Sequence, residues 1–97
     1  MPKFVIERQV SGVGRSSTAE LQSMARKSCD VLRVMGPDIQ WLHSYVTGDK
    51  IYCIYIADDE AKIREHARKA GFPADSVSRI TAVIDPTTAE QFSTTRT

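Results

Sequence analysis

No apolar run in this sequence approaches the roughly 20 residues that a membrane-spanning helix requires, so no membrane partner is expected. Charge of one sign is equally lacking, with a net charge of +1 over 97 residues. Without a basic stripe to displace counterions, no nucleic-acid partner is expected either. The opening MPKFVIERQV has no apolar segment followed by small residues, so export is not expected and the cytoplasm is the expected compartment. Cysteine is scarce. Cys29 and Cys53 have no short-spaced partners, and two reduced, buried thiols suit that compartment better than a disulfide.

Several catalytic and cofactor signatures are missing as well. Gly12 and Gly14 of SGVGRS stand between an expected strand and an expected helix, but Ser17 occupies the place of the third glycine of a dinucleotide fingerprint. A turn is the plainer reading, and no nucleotide cofactor is expected. Glu65-His66 lacks the H-E-x-x-H spacing of a zinc-protease helix. No G-x-S-x-G turn and no evident carboxylate pair occurs, so turnover has little support and the reading leans away from an enzyme.

What is present is concentrated between Asp38 and Ala57, DIQWLHSYVTGDKIYCIYIA, which holds the single Trp and all three Tyr. Two strands joined at Gly48-Asp49 are expected, a dipeptide suited to a tight hairpin turn. A two-residue loop pairs Thr47 with Lys50, Val46 with Ile51, Ser44 with Cys53 and Leu42 with Tyr55. Alternation then puts Leu42, Ser44, Val46, Ile51, Cys53 and Tyr55 on one face. Trp41, His43, Tyr45, Tyr52, Ile54 and Ile56 fall on the other. A turn one residue longer would move Cys53 to the face of His43.

Around this hairpin the remaining elements are readable. Residues 3–9 alternate as a strand with Phe4, Ile6 and Arg8 on one side and Val5 and Glu7 on the other. Ser17 to Glu20 form a capping box, and Leu21, Met24, Ala25, Ser28, Leu32 and Met35 follow at helical spacing until Gly36-Pro37. Asp58, Asp59 and Glu60 open a second helix that runs to about Ala70, with Ile63, Ala67 and Ala70 along a narrow buried edge. Residues 76–84, SVSRITAVI, have the β-branched content of a last strand. Residues 1–86 are thus one domain, and residues 87–97 a polar, mobile tail.

The order β-α-β-β-α-β predicts an α+β, ferredoxin-like fold: a four-stranded antiparallel sheet in the order 4-1-3-2 with two helices on one face. The uncovered face, with its aromatics and His43, is too apolar to leave in water. A homodimer with the two sheets facing one another, a dimeric α/β barrel, follows as the expectation.

The motif W-x-H-S-Y-V with the following Y-C-x-Y, then IREHARKAGFPADSVS and IDPTTAE, resembles a family of small bacterial ferredoxin-like proteins long filed as a domain of unknown function. One Streptomyces member of that family is described as nickel-binding. The resemblance spans residues 2–90 and implies the fold, the dimer and nickel or another divalent transition metal as ligand.

His43 is the expected principal ligand, since a neutral imidazole suits Ni(II), Zn(II) and Cu(II) alike. Glu7, Tyr45 and Tyr52 are the candidates to share its cavity, in two copies each in a dimer, with Glu7 reaching it if Val5 and Glu7 face inward, which the alternation leaves open. The plain alternative is a His43 hydrogen-bonded to a hydroxyl. Trp41, Ile54 and Arg8 are expected to line the same cavity, which also suits a small molecule, and the family's similarity in fold to dimeric α/β-barrel proteins implies a cofactor-independent monooxygenase- or isomerase-like activity as the alternative. Arg8 and Arg79 can either anchor an anionic ligand or pair with Glu7 or Asp85. His66 is expected to pack or cap at the margin of the second helix, with a ligand role less favoured. Cys53 is expected in the core.

Overall fold

The computed structural model describes the backbone of residues 1–95 and the side chains of residues 1–90. Strand β1 (Lys3–Gln9) leads through a short 3-10 turn into helix α1 (Thr18–Met35). The hairpin β2 (Ile39–Val46) and β3 (Lys50–Ala57) follows, then helix α2 (Glu60–Ala70), strand β4 (Ser76–Ile80) and helix α3 (Pro86–Thr95). The four strands form one antiparallel sheet in the order β2-β3-β1-β4, which is the expected ferredoxin-like order read from the other edge. The polar segment 87–97 enters α3, and its last two residues lie outside the described ones.

Local chemistry sets the helix ends. Ser17 Oγ accepts the Glu20 N–H at 3.1 Å, and the Glu20 carboxylate accepts the Ser17 N–H at 2.8 Å, closing the capping box. These bonds hold the Glu20 carboxyl below its usual range. The Asp59 carboxylate likewise accepts the Lys62 N–H at 3.0 Å at the start of α2. Helix α2 stops at Gly71, whose φ of 76° lies in the left-handed region that glycine enters without a Cβ clash.

The core lies between the helices and the sheet and centres on Phe4, Ile6, Ile39, Cys53, Tyr55, Ala57 and Ile63. Ile6 and Ile63 are fully buried, each stabilising the fold by about 1.5–3 kcal/mol relative to exposure. From α1, Leu32 and Met35 pack against this cluster. The N-terminal half of the same apolar stripe, Leu21, Met24 and Ala25, instead lines an open space over β2 and β3.

Near its tip the hairpin pairs as alternation predicts. Thr47 donates its N–H to the Lys50 carbonyl at 2.9 Å across the Gly48-Asp49 loop, and Val46 faces Ile51 and Ser44 faces Cys53. Farther along, a bulge intervenes between Trp41 and His43, so that Trp41, not Leu42, lies opposite Tyr55. One extra residue inverts the alternation beyond it. Trp41 therefore joins the helix-covered side with Tyr55, correcting its expected place beside His43, and its indole N–H finds Ser44 Oγ at 2.9 Å.

Two smaller corrections follow, and one expected turn takes on a bracing role. The last strand ends at Ile80, opposite Lys3 where β1 begins, so residues 81–84 have no strand to pair with. Cys29 is exposed, while Cys53 is buried; both are free thiols. The amides of the Gly12–Gly14 loop serve the hairpin: Gly12 N–H donates to Asp49 Oδ1 at 2.8 Å and Gly14 N–H to the Gly48 carbonyl at 3.0 Å. A Cβ on Gly14 would stand 2.7 Å from the Thr47 carbonyl oxygen, so only glycine permits this approach.

Candidate functional site

The sheet offers two chemically different faces. On the face away from α1 and α2, cross-strand pairing sets Glu7, Tyr52 and Tyr45 in one row and Val5, Ile54 and His43 in the next. His43 is exposed, and its ring meets that of Tyr45 edge-on, with centroids 5.1 Å apart. The carboxylate of Glu7 is engaged, accepting from Lys50 Nζ at 3.1 Å. That bond, with the attraction of the carboxylate, raises the Lys50 ammonium above its usual range. The structure thus puts His43, Glu7, Tyr45 and Tyr52 on one face, together with Ile54 but apart from Trp41 and Arg8.

The donor set of one chain does not make a metal site by itself. Among the described residues, no three His, Cys, Asp or Glu side chains gather closely enough to hold an ion. On this face one chain offers one imidazole, neighbouring phenols and a carboxylate already paired with a lysine. Transition-metal sites of the usual strength need further strong donors, so additional ligands would have to come from outside the chain.

The helix-covered face holds a cavity of about 400 Å³. Its floor is Ile51, Cys53, Tyr55 and Arg8, its roof Leu21, Met24 and Ala25 of α1, and its flanks Trp41, Ser44 and the segment Gly71–Pro73. Arg8 is 2% exposed, placed in the core register of β1 with Phe4 and Ile6. Its Nη1 donates to the Pro73 carbonyl and its Nε to Cys53 Sγ at 3.4 Å. The Phe72 ring lies 5.6 Å from the guanidinium carbon. The Arg8 Nη2 is buried and has no hydrogen-bond partner among the described residues. The expected ion pairs are absent: Glu7 is held by Lys50, and the Asp85 carboxylate accepts from Thr87.

Behind the cavity a polar chain runs through the core. His66, fully buried rather than marginal, has Nε2 3.3 Å from Ser28 Oγ and Nδ1 3.4 Å from the Tyr55 hydroxyl. Burial pushes the His66 imidazole below its ordinary value, and the Arg8 charge acts in the same sense. Burial pushes the Tyr55 phenol up, against the pull of Arg8. With both ring nitrogens engaged under the helices, His66 takes a packing role and has no access to the open face. Cys53 is in the core beside Arg8, and the register opposite Ser44 keeps it from His43.

One cavity residue could have been placed from sequence: Arg8 alternates with Phe4 and Ile6, a charge in a buried register. The Leu42 bulge that brings Trp41 to it has no such signal. Phe72 and Pro73 read only as a helix stop.

The profile of the family described as nickel responsive protein SCO4226-like matches residues 4–80. The crystal structure of SCO4226 from Streptomyces coelicolor A3(2) superposes with a TM-score of 0.71 at 13% identity, over 84% of this chain and 99% of that one. At that identity the likeness establishes the fold. No curated protein matches.

Proposed function

We propose, from the premise that this chain belongs to the nickel responsive SCO4226-like family, that it is a cytoplasmic homodimer binding nickel or a similar divalent cation where two sheets meet. The observation that carries this reading is the uncovered sheet face, on which an exposed imidazole stands among Tyr45, Tyr52, Val5, Ile54 and Ile56. Tyr45 is 59% exposed, and water is a poor cover for such a surface.

A second copy is the occupant that fits. An isologous pairing brings two copies of His43 to one seam and supplies the donors that one chain lacks. Residues 81–84, of strand composition but without a strand partner, include Val83 and Ile84 at 73% and 78% exposure. An extension of β4 onto the sheet of a second copy would bury them. His43 is the principal ligand in this reading, with Tyr45 and Tyr52 beside it. Glu7 would have to exchange Lys50 for the ion. The free thiols accord with a reducing compartment.

Equilibrium dialysis with Ni(II) and Zn(II), alongside sedimentation of the same samples, tests the proposal. Wild type should sediment as a dimer and retain metal, and His43→Ala should remain dimeric while losing the metal. Metal retained equally by both proteins would remove His43 from the site. A dimer binding no metal in either form would favour a small molecule in the space between the sheets. A stable monomer would end the reading altogether.

A further inference from the structure

We propose that the cavity beneath the helices is a second binding site, for a small apolar molecule bearing one carboxylate, with the guanidinium of Arg8, which lines the cavity without an ion pair among the described residues, as its anchor. This site is separate from the open face and does not depend on dimerisation or metal.

Two observations converge on it. The first is the shape and lining of the space. Leu21, Met24, Ile51 and Trp41 give it an apolar wall, and its volume of about 400 Å³ is within the range of small-ligand sites. At roughly 30 Å³ for each water-sized group, it accommodates about a dozen non-hydrogen atoms. The second is the state of Arg8. A guanidinium keeps its charge in proteins, and a charge removed from water is retained at a cost unless it is paired and hydrogen-bonded. Arg8 is 2% exposed, has no ion pair among the described residues and leaves Nη2 without an acceptor.

The partial satisfaction is directional. Pro73 accepts from Nη1, Cys53 Sγ accepts from Nε and the Phe72 ring lies 5.6 Å from the guanidinium carbon. Two of the three nitrogens are thus held and Nη2 has no acceptor, and a carboxylate is the planar acceptor that complements such a fork with charge. Uncharged acceptors would satisfy the hydrogen bond but not the charge. Within the lining, Ser44 and Ser28 are neutral and no carboxylate is present. The apolar wall then selects the body of the ligand, and the arginine selects its head.

Trp41 is the chain's single tryptophan and lines the cavity, so its emission reports occupancy. The probe is decanoate, with twelve non-hydrogen atoms (a count matched to the roughly dozen groups estimated above), compared with decanamide. Titration of the intact protein in EDTA should give a saturable change with decanoate and binding about 10-fold or more weaker with decanamide, as a charged hydrogen bond implies. Arg8→Met should abolish that preference. Ala25→Phe, which fills the roof while leaving Arg8 in place, should abolish binding of both probes with the circular dichroism spectrum unchanged. Equal affinity for decanoate and decanamide, absence of binding, or decanoate binding that survives Ala25→Phe would overturn the proposal. If Arg8→Met does not fold, the probe pair and Ala25→Phe decide it.

Discussion

Replacing Arg8 by methionine should leave the protein as stable as before or more stable, by about 1–2 kcal/mol. The guanidinium contributes a charged hydrogen bond to Pro73, worth about 1.5–3 kcal/mol. Its approach to Phe72 adds about 0.5–1 kcal/mol. Against these stands the desolvation of a nearly fully buried ion, several kcal/mol after relaxation, with no carboxylate to offset it and Nη2 unsatisfied. Methionine matches the length of the stem, adapts to an irregular space and carries no charge to desolvate. Pro73 is exposed, so its released carbonyl reaches water at little cost. For a domain of this size, each kcal/mol moves the thermal midpoint by about 4–8 °C. Urea unfolding followed by circular dichroism measures the difference directly, with an unchanged m-value showing that the same surface is exposed. A loss of stability beyond the error of the measurement would mean that the arginine is a strut of the fold rather than a charge kept against stability for binding.

Two further outcomes follow from the core. Burial holds the His66 imidazole below its ordinary value, so the unfolded chain takes up a proton below about pH 6.5 that the folded chain refuses. The stability tied to neutral His66 is complete above that pH and is lost as the pH falls toward the depressed folded value, at up to about 1.4 kcal/mol per pH unit. Urea midpoints between pH 7.5 and 5.5 in EDTA should show this slope in wild type and a flatter one in His66→Gln, and matching slopes would contradict it. Separately, Ser44→Ala removes the acceptor of the Trp41 indole and should cost about 1 kcal/mol with a shift in tryptophan emission. An unaltered urea midpoint would mean that the indole N–H is satisfied by water instead.

The element order and the pairing near the hairpin tip were legible in the sequence because each rests on local chemistry. The capping box at Ser17, the stop at Gly71 and the two-residue loop at Gly48-Asp49 fix boundaries within a few residues of themselves. The face of Trp41 was not legible. It depends on one extra residue near Leu42, and the preference for that bulge comes from the helix-covered space and the Ser44 hydroxyl that receive the indole. Similarly, the β-branched content of residues 76–84 predicted a strand to Ile84, but a strand lasts only as long as its neighbour, and β1 begins opposite Ile80. For the candidate residues, alternation put His43, Tyr45 and Tyr52 on a shared face but left that of Glu7 open, and it is the pairing of Glu7 with Tyr52 that sets it beside them. Alternation could not show that Glu7 is engaged by Lys50 or that Arg8 looks into a cavity on the opposite side.

In the proposed dimer a second copy covers the open sheet face and brings a second His43 to the ion. Crystals grown with Ni(II), with diffraction recorded on both sides of the nickel absorption edge, test it in one measurement. An anomalous peak is expected at the seam between two facing sheets, ligated by His43 of both copies. A peak elsewhere on the chain, or a His43 left in solvent on a sheet that no second copy covers, would contradict it.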